Sequence, residues 1–434
     1  MTTTSSPSDP AAELTGAGNG LVDQPNPPER APIRGRLLRM LVFLLPANLG
    51  LFITYGAVAG VLLPVQVTGL DPDSKVANLA LVTTIAAAAA MIAQPVAGQI
   101  SDRTRSRFGR RAPWLILGAL VGGLALIGMA LANGLVQIII GWTIAQIAYN
   151  FLQGPLSAVV PDRVPAGAFG KFSAFLGMAA MVGAIGGQVI GASFAQAVGG
   201  GYVLLAGVVV VFVALFVVFN PDTSSRDVAR APFGFLDFIR TFWVNPVKHP
   251  DFFWAFFGRL LLYTGYFSVL GYNLFILSDY VGLGDKAAET VPVLGLLQLA
   301  GMIPSILISG FLSDRLGRRK IFVFIAAMIV GLGLVIPIVS PTLTGIFLQA
   351  FVCGLGFGAF NAVDQALMNQ VLPSAESFGK DLGVVNIAAT LPQTLAPAIG
   401  GAVVILFGYV GLFPVGIVLS VLGAIAVFFI KSVK

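Results

Sequence analysis

Gly98-Gln-Ile-Ser-Asp102-Arg103-Thr-Arg105-Ser-Arg107-Phe-Gly109-Arg110-Arg111-Ala-Pro113 is a short, strongly basic stretch set between two apolar runs, 76–100 and 113–133. Each run is long enough to cross a bilayer as a helix, which takes about 20 residues. A second copy, Gly310-Phe-Leu-Ser313-Asp314-Arg315-Leu-Gly317-Arg318-Arg319-Lys320, again separates two apolar runs. The spacing G-x-x-S-D-R followed by G-R-R therefore occurs twice, which marks an internally duplicated membrane protein.

Composition agrees. Of 434 residues, 57% are hydrophobic and 10% charged, too little polar surface for a water-soluble globule of this size. Twelve apolar runs are expected to span, at 40–65, 76–100, 113–133, 135–160, 172–196, 202–219, 252–277, 290–312, 321–339, 343–367, 382–407 and 409–430. They divide the chain into a disordered cytoplasmic arm at 1–38, rich in Ser, Thr, Pro, Gly and Asp, a six-helix bundle at 39–219, a central cytoplasmic linker at 220–251 and a second six-helix bundle at 252–434. Within the linker, Phe233–Trp243 reads as a short amphipathic helix in the membrane interface. The first apolar run begins after Arg34, Arg36 and Arg39, so no cleaved signal is expected. All of the 25 lysines and arginines except Lys75 and Lys286 fall on one side of this topology. That asymmetry puts both termini in the cytoplasm, with the chain in the plasma or inner membrane.

The repeat runs past the basic loops. Asn150-Phe-Leu-Gln153 through Pro161 follows the fourth run as Asn361-Ala-Val-Asp364 through Pro373 follows the tenth, and Gly170-Lys171 and Gly379-Lys380 open the next runs.

The paired loops resemble the signature between the second and third helices of the major facilitator superfamily of secondary transporters. The resemblance implies an all-α integral membrane fold of two pseudo-symmetric six-helix bundles, with a solute site between them lined by spans one, four, seven and ten. It also implies a gate at Gly98, Asp102, Arg103, Gly109, Arg110, Arg111, Gly310, Asp314, Arg315, Gly317, Arg318 and Arg319. A glycine at 98 or 310 lets a helix end approach its neighbour closely, and a carboxylate beside arginines can hold a charge-assisted contact with a helix terminus across the bundle. Arginine clusters also anchor membrane proteins of every kind. The longer first loop, Asp102 to Trp114, is similar to that of glycoside-pentoside-hexuronide:cation symporters and the related sucrose:proton symporters, which implies sugar-like solutes. Sodium-coupled members of that group carry Asp in the first two spans. Here 40–65 and 76–100 contain none, so sodium coupling by that route is not expected.

Polar residues in the four cavity-forming spans supply the candidate solute site: Asn48, Tyr55, Trp142, Gln146, Tyr149, Asn150, Gln153, Tyr263, Asn361 and Gln365. Trp142, Gln146, Tyr149 and Gln153 fall on one helix face. Amides beside aromatic rings suit a polyol, since amides exchange hydrogen bonds with hydroxyls and rings cover the apolar face of a sugar. The same residues also serve helix packing in many membrane proteins. Asp364 is the one carboxylate placed inside a span, and Arg259 in span seven is its expected partner, a pair suited to carrying a proton. Otherwise Asp364 reaches water or caps a loop.

One His, one Cys and few buried carboxylates give no metal set and no nucleophile-base pair, so no enzyme, metal or other cofactor is expected. No phosphate-binding G-x-x-x-x-G-K-[ST] loop is present for ATP-driven pumping. The expected function is secondary active transport of a small polar solute by alternating access, as a proton symporter acting as a monomer, with no nucleic-acid partner. A proton-antiport exporter of drugs or metabolites, or a uniporter, is the rival reading.

Overall fold

The computed structural model describes residues 33–226, 247–371 and 378–432. The arm at 1–32 and the linker stretch 227–246, which holds the interface helix expected at Phe233–Trp243, lie outside the described residues. Among the described residues there is no strand. Twelve helices among the described residues are long and apolar enough to cross a membrane. They are α1 Arg36–Leu70, α2 Lys75–Arg103, α3 Ala112–Ala130, α4 Leu135–Arg163, α5 Ala166–Ser193, α6 Val198–Phe219, α7 Pro250–Leu270, α8 Ala287–Leu316, α9 Arg319–Val339, α10 Leu343–Gln370, α11 Phe378–Phe407 and α12 Tyr409–Phe429. Helices are the expected answer in hydrocarbon, where each backbone N–H and C=O must find its partner within the segment.

Most expected spans differ by a few residues at an end, as α5 does by opening at Ala166 rather than 172, and two ends also change the local structure. α1 continues past 65 to Leu70 through a π turn at Val58–Leu62. The polar groups there find partners: Thr68 Oγ1 donates to the Pro64 carbonyl on its own helix at 2.8 Å, and Gln66 Nε2 to the Met129 carbonyl on α3 at 2.7 Å. α7 ends at Leu270, earlier than expected, and the chain continues through Asn273–Phe275 and a π turn at Ile276–Tyr280. Tyr272, beyond that break, turns to α11 and donates to the Pro397 carbonyl at 2.8 Å.

In the first half, α1 packs on α5 and α6, α4 on α2 and α3, and α3 on α6; in the second, α7 packs on α11 and α12, α10 on α8 and α9, and α9 on α12. Each pair reappears six helices later, so the duplication seen in the loops holds for the packing.

Glycine makes two of these seams close. A Cβ on Gly56 of α1 would lie 1.9 Å from the Ala184 carbonyl oxygen on α5, and one on Gly187 of α5 would lie 2.1 Å from the Ile53 carbonyl oxygen on α1. On α10, a Cβ on Gly354 would lie 2.2 Å from the Gln298 carbonyl oxygen on α8. Backbone contact of this kind holds helices together where lipid removes the hydrophobic drive for association.

The bundles meet toward the end opposite the basic loops, called the far end below. α2 packs on α11 there, where a Cβ on Gly401 would lie 2.5 Å from Ala80 Cβ, and α5 packs on α8, where one on Gly295 would lie 2.7 Å from Gln188 Oε1. A charged clasp closes the same end. Lys75 Nζ at the start of α2 lies 2.7 Å from Asp279 Oδ2 after α7, and Tyr409 Oη donates to that carboxylate at 2.6 Å. Partial burial works to raise the Asp279 carboxyl. The hydrogen bonds from Lys75, Tyr409 and Ser278 outweigh it and hold the group below its ordinary range.

Gly187→Ala is expected to destabilise the protein by about 1–3 kcal/mol through overpacking. Gly177→Ala, on the same helix facing open space, should be neutral or slightly stabilising. Thermal unfolding in detergent distinguishes the two. Asp279→Asn should loosen the far end, raising the thiol-labelling rate of an Ala80→Cys reporter about two- to five-fold. Because the carboxyl is depressed in the closed state, closure is complete above the ordinary carboxylate pKa of about 4 and is lost only as pH falls below it through the depressed value, so wild-type labelling, corrected for the thiolate fraction of the reporter, should not change between about pH 8 and pH 5.

Candidate functional site: a polar cleft between the bundles

At the basic end the inner walls are open: Ser157 on α4, Ser173 on α5 and Gln365 on α10 are all exposed. A cavity of about 430 Å³ lies against the first bundle, lined by Asn48, Phe52, Gln153, Ser157, Phe169 and Ser173 among others. Tyr55 Oη on α1 faces Gln153 Oε1 on α4 at 3.4 Å, and the Tyr55 and Tyr149 rings meet edge to face at 6.2 Å. Asn48 Oδ1 and Tyr149 Oη are buried with no hydrogen-bond partner among the described residues. Such groups are uncommon and ask for one.

The face on α4 divides along its length. Gln146 and Gln153 are half-buried, whereas Trp142 is 1% exposed and Tyr149 is fully buried against Gly122 of α3, where a Cβ would come within 2.4 Å of the ring. Asn150 Nδ2 donates to the Gln146 carbonyl at 2.8 Å, one turn back on its own helix. A single lining stripe was expected. The cleft is a wedge, closed at the far end where Trp142 sits, so Trp142 belongs to the packing and the face lines the cavity at Gln153.

The polar counterpart in the second bundle comes from α7 and α10. Arg259 Nε donates to Asp364 Oδ2 at 2.5 Å and Arg259 Nη2 to Gln365 Oε1 at 3.0 Å. One turn along α7, Tyr263 Oη donates to Asn361 Oδ1 at 2.6 Å, and the Arg259 guanidinium lies 5.9 Å from the centre of the Tyr263 ring. The spacings 259/263 and 361/364/365 put each set on one helix face. The Arg259 and Asp364 side chains are 3% and 2% exposed, a burial that two opposite charges tolerate because they neutralise each other. Where the second half joins its first and fourth helices with a charged pair, the first half joins the equivalent helices with the neutral pair Tyr55 and Gln153.

The first basic loop is knitted within the first bundle. Arg111 reaches Asp102 at 2.7 Å, Asp162 at 2.9 Å and Ser101 Oγ at 3.0 Å, while Arg110 reaches Asp162 at 2.6 Å. Arg103 Nη1 donates to Gln99 Oε1 at 2.6 Å. Gly109 has φ 85° and Gly317 φ 63°, left-handed turns that explain the glycine of both G-R-R units. In the second loop Arg319 Nη1 donates to the Ala366 carbonyl at 2.9 Å, and Arg315 and Arg318 are exposed. The Asp314 side chain lies outside the described residues. The close approach expected at Gly98 and Gly310 is not found. A Cβ at either would meet open space, because the bundles stand apart at this end.

Sequence reasoning missed Asp162 and the Lys75–Asp279–Tyr409 clasp. The Pro161-Asp162-Arg163 triplet at the end of α4 and the isolation of Lys75 from the other basic residues were the available signals.

Comparison with known proteins agrees with the fold. A nucleoside transporter, NupG, in mutant form, superposes with a TM-score of 0.72 at 15% identity over 91% of this chain and 100% of its own. A D-xylose-proton symporter gives 0.68 at 16% identity over 92% and 98%, and a bacterial homologue of human lysosomal Spinster, inward-facing and unoccupied, gives 0.67 at 14% over 91% and 96%. Among curated relatives, the MFS transporter asaE of Aspergillus flavus is 31% identical over 165 residues, 37% of this chain and 35% of the relative. A protein of Salmonella typhimurium named for multidrug resistance, MdtD, is 29% identical over 132 residues, 30% of this chain and 27% of its own length. The matches thus span about a third of those relatives. The Major Facilitator Superfamily model matches residues 44–374 and 294–434. Duplicated six-helix packing, paired basic loops and that match over nearly the whole chain place this protein in the Major Facilitator Superfamily.

Proposed function

We propose that the protein carries a small, neutral, hydroxyl-rich solute of the sugar kind across the membrane by alternating access, in symport with a proton. The observation that carries this reading is the cleft's charge balance. Arg259 and Asp364 cancel each other on one wall, and the opposite wall offers Asn48, Gln153, Ser157 and Ser173 with no formal charge, Gln153 meeting Tyr55 Oη behind it. A carboxylate or ammonium solute would enter without a counter-charge, whereas hydroxyls exchange hydrogen bonds with amides and phenols. The D-xylose-proton symporter and the nucleoside transporter among the structural neighbours fit such a solute. The Asp102–Trp114 loop resembles that of the glycoside-pentoside-hexuronide and sucrose:proton symporters, which supports a sugar-like solute.

In the proposed cycle the carboxylate is the proton carrier, since a guanidinium does not give up its proton. Asp364 holds Arg259 in one state and takes a proton in the other, and the solute binds as the pair rearranges. The Asp102, Arg110 and Arg111 cluster closes the basic end, in concert with release of the far-end clasp. The lysine and arginine distribution supports a cytoplasmic basic end with both termini on that side. The chain works as a monomer, since both walls of the cleft come from one copy.

The competing reading, proton-antiport export of amphipathic compounds, draws on the match to MdtD and on the aromatic cluster of Tyr263, Tyr266, Phe267 and Phe357, in which Tyr266 stacks on Phe357 at 4.0 Å. Uptake and efflux of a panel of labelled sugars, nucleosides and cationic dyes in proteoliposomes decide between the two. Saturable uptake of a sugar driven by an inward proton gradient supports symport, and dye efflux without sugar uptake rejects it.

Asp364→Asn is expected to abolish accumulation driven by a pH gradient while solute exchange down its own gradient persists. Losing one partner of a buried pair costs about 3–5 kcal/mol, so the Arg259→Gln/Asp364→Asn double variant should regain expression yet remain uncoupled. Full accumulation by either variant would remove Asp364 from coupling. On the opposite wall, Gln153→Ala is expected to weaken half-saturation about ten-fold, from the ~1–3 kcal/mol of a lost buried hydrogen-bonding group. Trp142→Phe, inside the packing, should leave half-saturation within about two-fold.

A further inference from the structure

A second cavity, of about 570 Å³, lies at the basic end of the first bundle and shares no lining residue with the cleft pocket. Its walls come from the first turn of α1, the loop before α3, the end of α4 and the segment after α6, and they carry Arg36, Arg110 and Arg163. The three guanidinium groups are unequally used. Arg110 is held by Asp162, a carboxylate that Arg111 also draws on. Arg163 donates from Nη1 and Nη2 to the carbonyls of Asn220 and Pro221 at 3.1 and 2.7 Å, neutral acceptors that leave its charge standing. The Arg36 guanidinium is exposed and makes no hydrogen bond or ion pair among the described residues. Asp222 is the second carboxylate of the lining, so three positive groups face two negative ones.

Level and polarity narrow what fits. α1 has 35 residues, about 52 Å at 1.5 Å per residue, against a hydrocarbon core of about 30 Å. Its first turn therefore stands in the headgroup layer. One flank of the cavity is apolar, formed by Leu37 and Met40, which a free anion has no use for and a glycerol backbone with its acyl chains does. A phosphodiester offers oxygen acceptors in the geometry a guanidinium fork binds best, and basic pockets between transmembrane helices hold anionic headgroups by this chemistry.

We infer that this pocket binds the phosphate of an anionic glycerophospholipid, gripped by Arg36 and Arg163. The lipid ties the first turn of α1 to the end of α4, two helices that also wall the cleft. Arg36→Gln removes a side chain with no partner among the described residues, so the variant should fold and unfold like the wild type in phosphatidylcholine alone.

The full chain is placed in nanodiscs of phosphatidylcholine mixed with phosphatidylglycerol, released into detergent, and its retained lipid counted by native mass spectrometry. The wild type should keep phosphatidylglycerol in preference to phosphatidylcholine. Arg36→Gln should lower its retention about five-fold, the usual worth of one basic residue near a charged lipid surface. Lys286→Gln, the same charge loss at the far end, should leave retention unchanged. Equal retention by wild type and Arg36→Gln, or equal loss in Lys286→Gln, would overturn the assignment. So would thermal stabilisation by inorganic phosphate matching that by phosphatidylglycerol, which would give the pocket to a free anion.

Discussion

In lipid, two helices gain nothing from hiding apolar surface against each other, so their contact must come from close backbone fit and from polar groups that find partners. That constraint shapes the whole molecule. Gly56 and Gly187 let α1 and α5 touch through their backbones, as Gly354 does for α8 and α10. Interhelical bonds such as Tyr202 Oη to Gln66 Oε1 at 2.8 Å fix the rotation of each helix. Two such bundles, each rigid through its own seams, then leave the boundary between them as the place where the molecule can change shape.

The halves share a packing plan and differ in chemistry. The α1–α4 join is a tyrosine facing a glutamine and the α7–α10 join is an arginine holding an aspartate. The basic loop of the first half is locked by Asp102 and Asp162, whereas in the second Arg319 leans on a backbone carbonyl. Duplication supplied one scaffold twice, and divergence gave one copy the neutral hydrogen bonds and the other the charge.

Most of the fold was legible in the chain because lipid permits so few answers: an apolar run of about 20 residues becomes a helix, and a repeated loop implies a repeated bundle. The contact between Asp364 and Arg259 was legible for a related reason, since ionisable groups within spans seek each other out. Other features depend on how the bundles lean. Lys75 meets Asp279 across 204 positions of sequence, and nothing local to either residue names the other. Trp142 and Gln153 share a helix face, yet one is buried and the other borders the cleft because the cleft is a wedge. Gly98 and Gly310 carry a signature whose close contacts are absent with the bundles parted. The tight glycines at 56, 187 and 354 were hidden among 52 glycines in the chain.

The self-cancelling pair in the second wall also bears on electrical work. While Arg259 and Asp364 hold each other, the cleft presents no net charge, and turning the bundles moves none through the transmembrane field. In the proposed cycle a proton arriving on Asp364 leaves Arg259 as a lone cation within the membrane. The voltage then acts on that step by about 2.3 kcal/mol per 100 mV if the charge crosses the full field. In that proposed cycle, one neutralised side-chain pair would let the same cleft turn over silently when empty and answer to voltage when loaded.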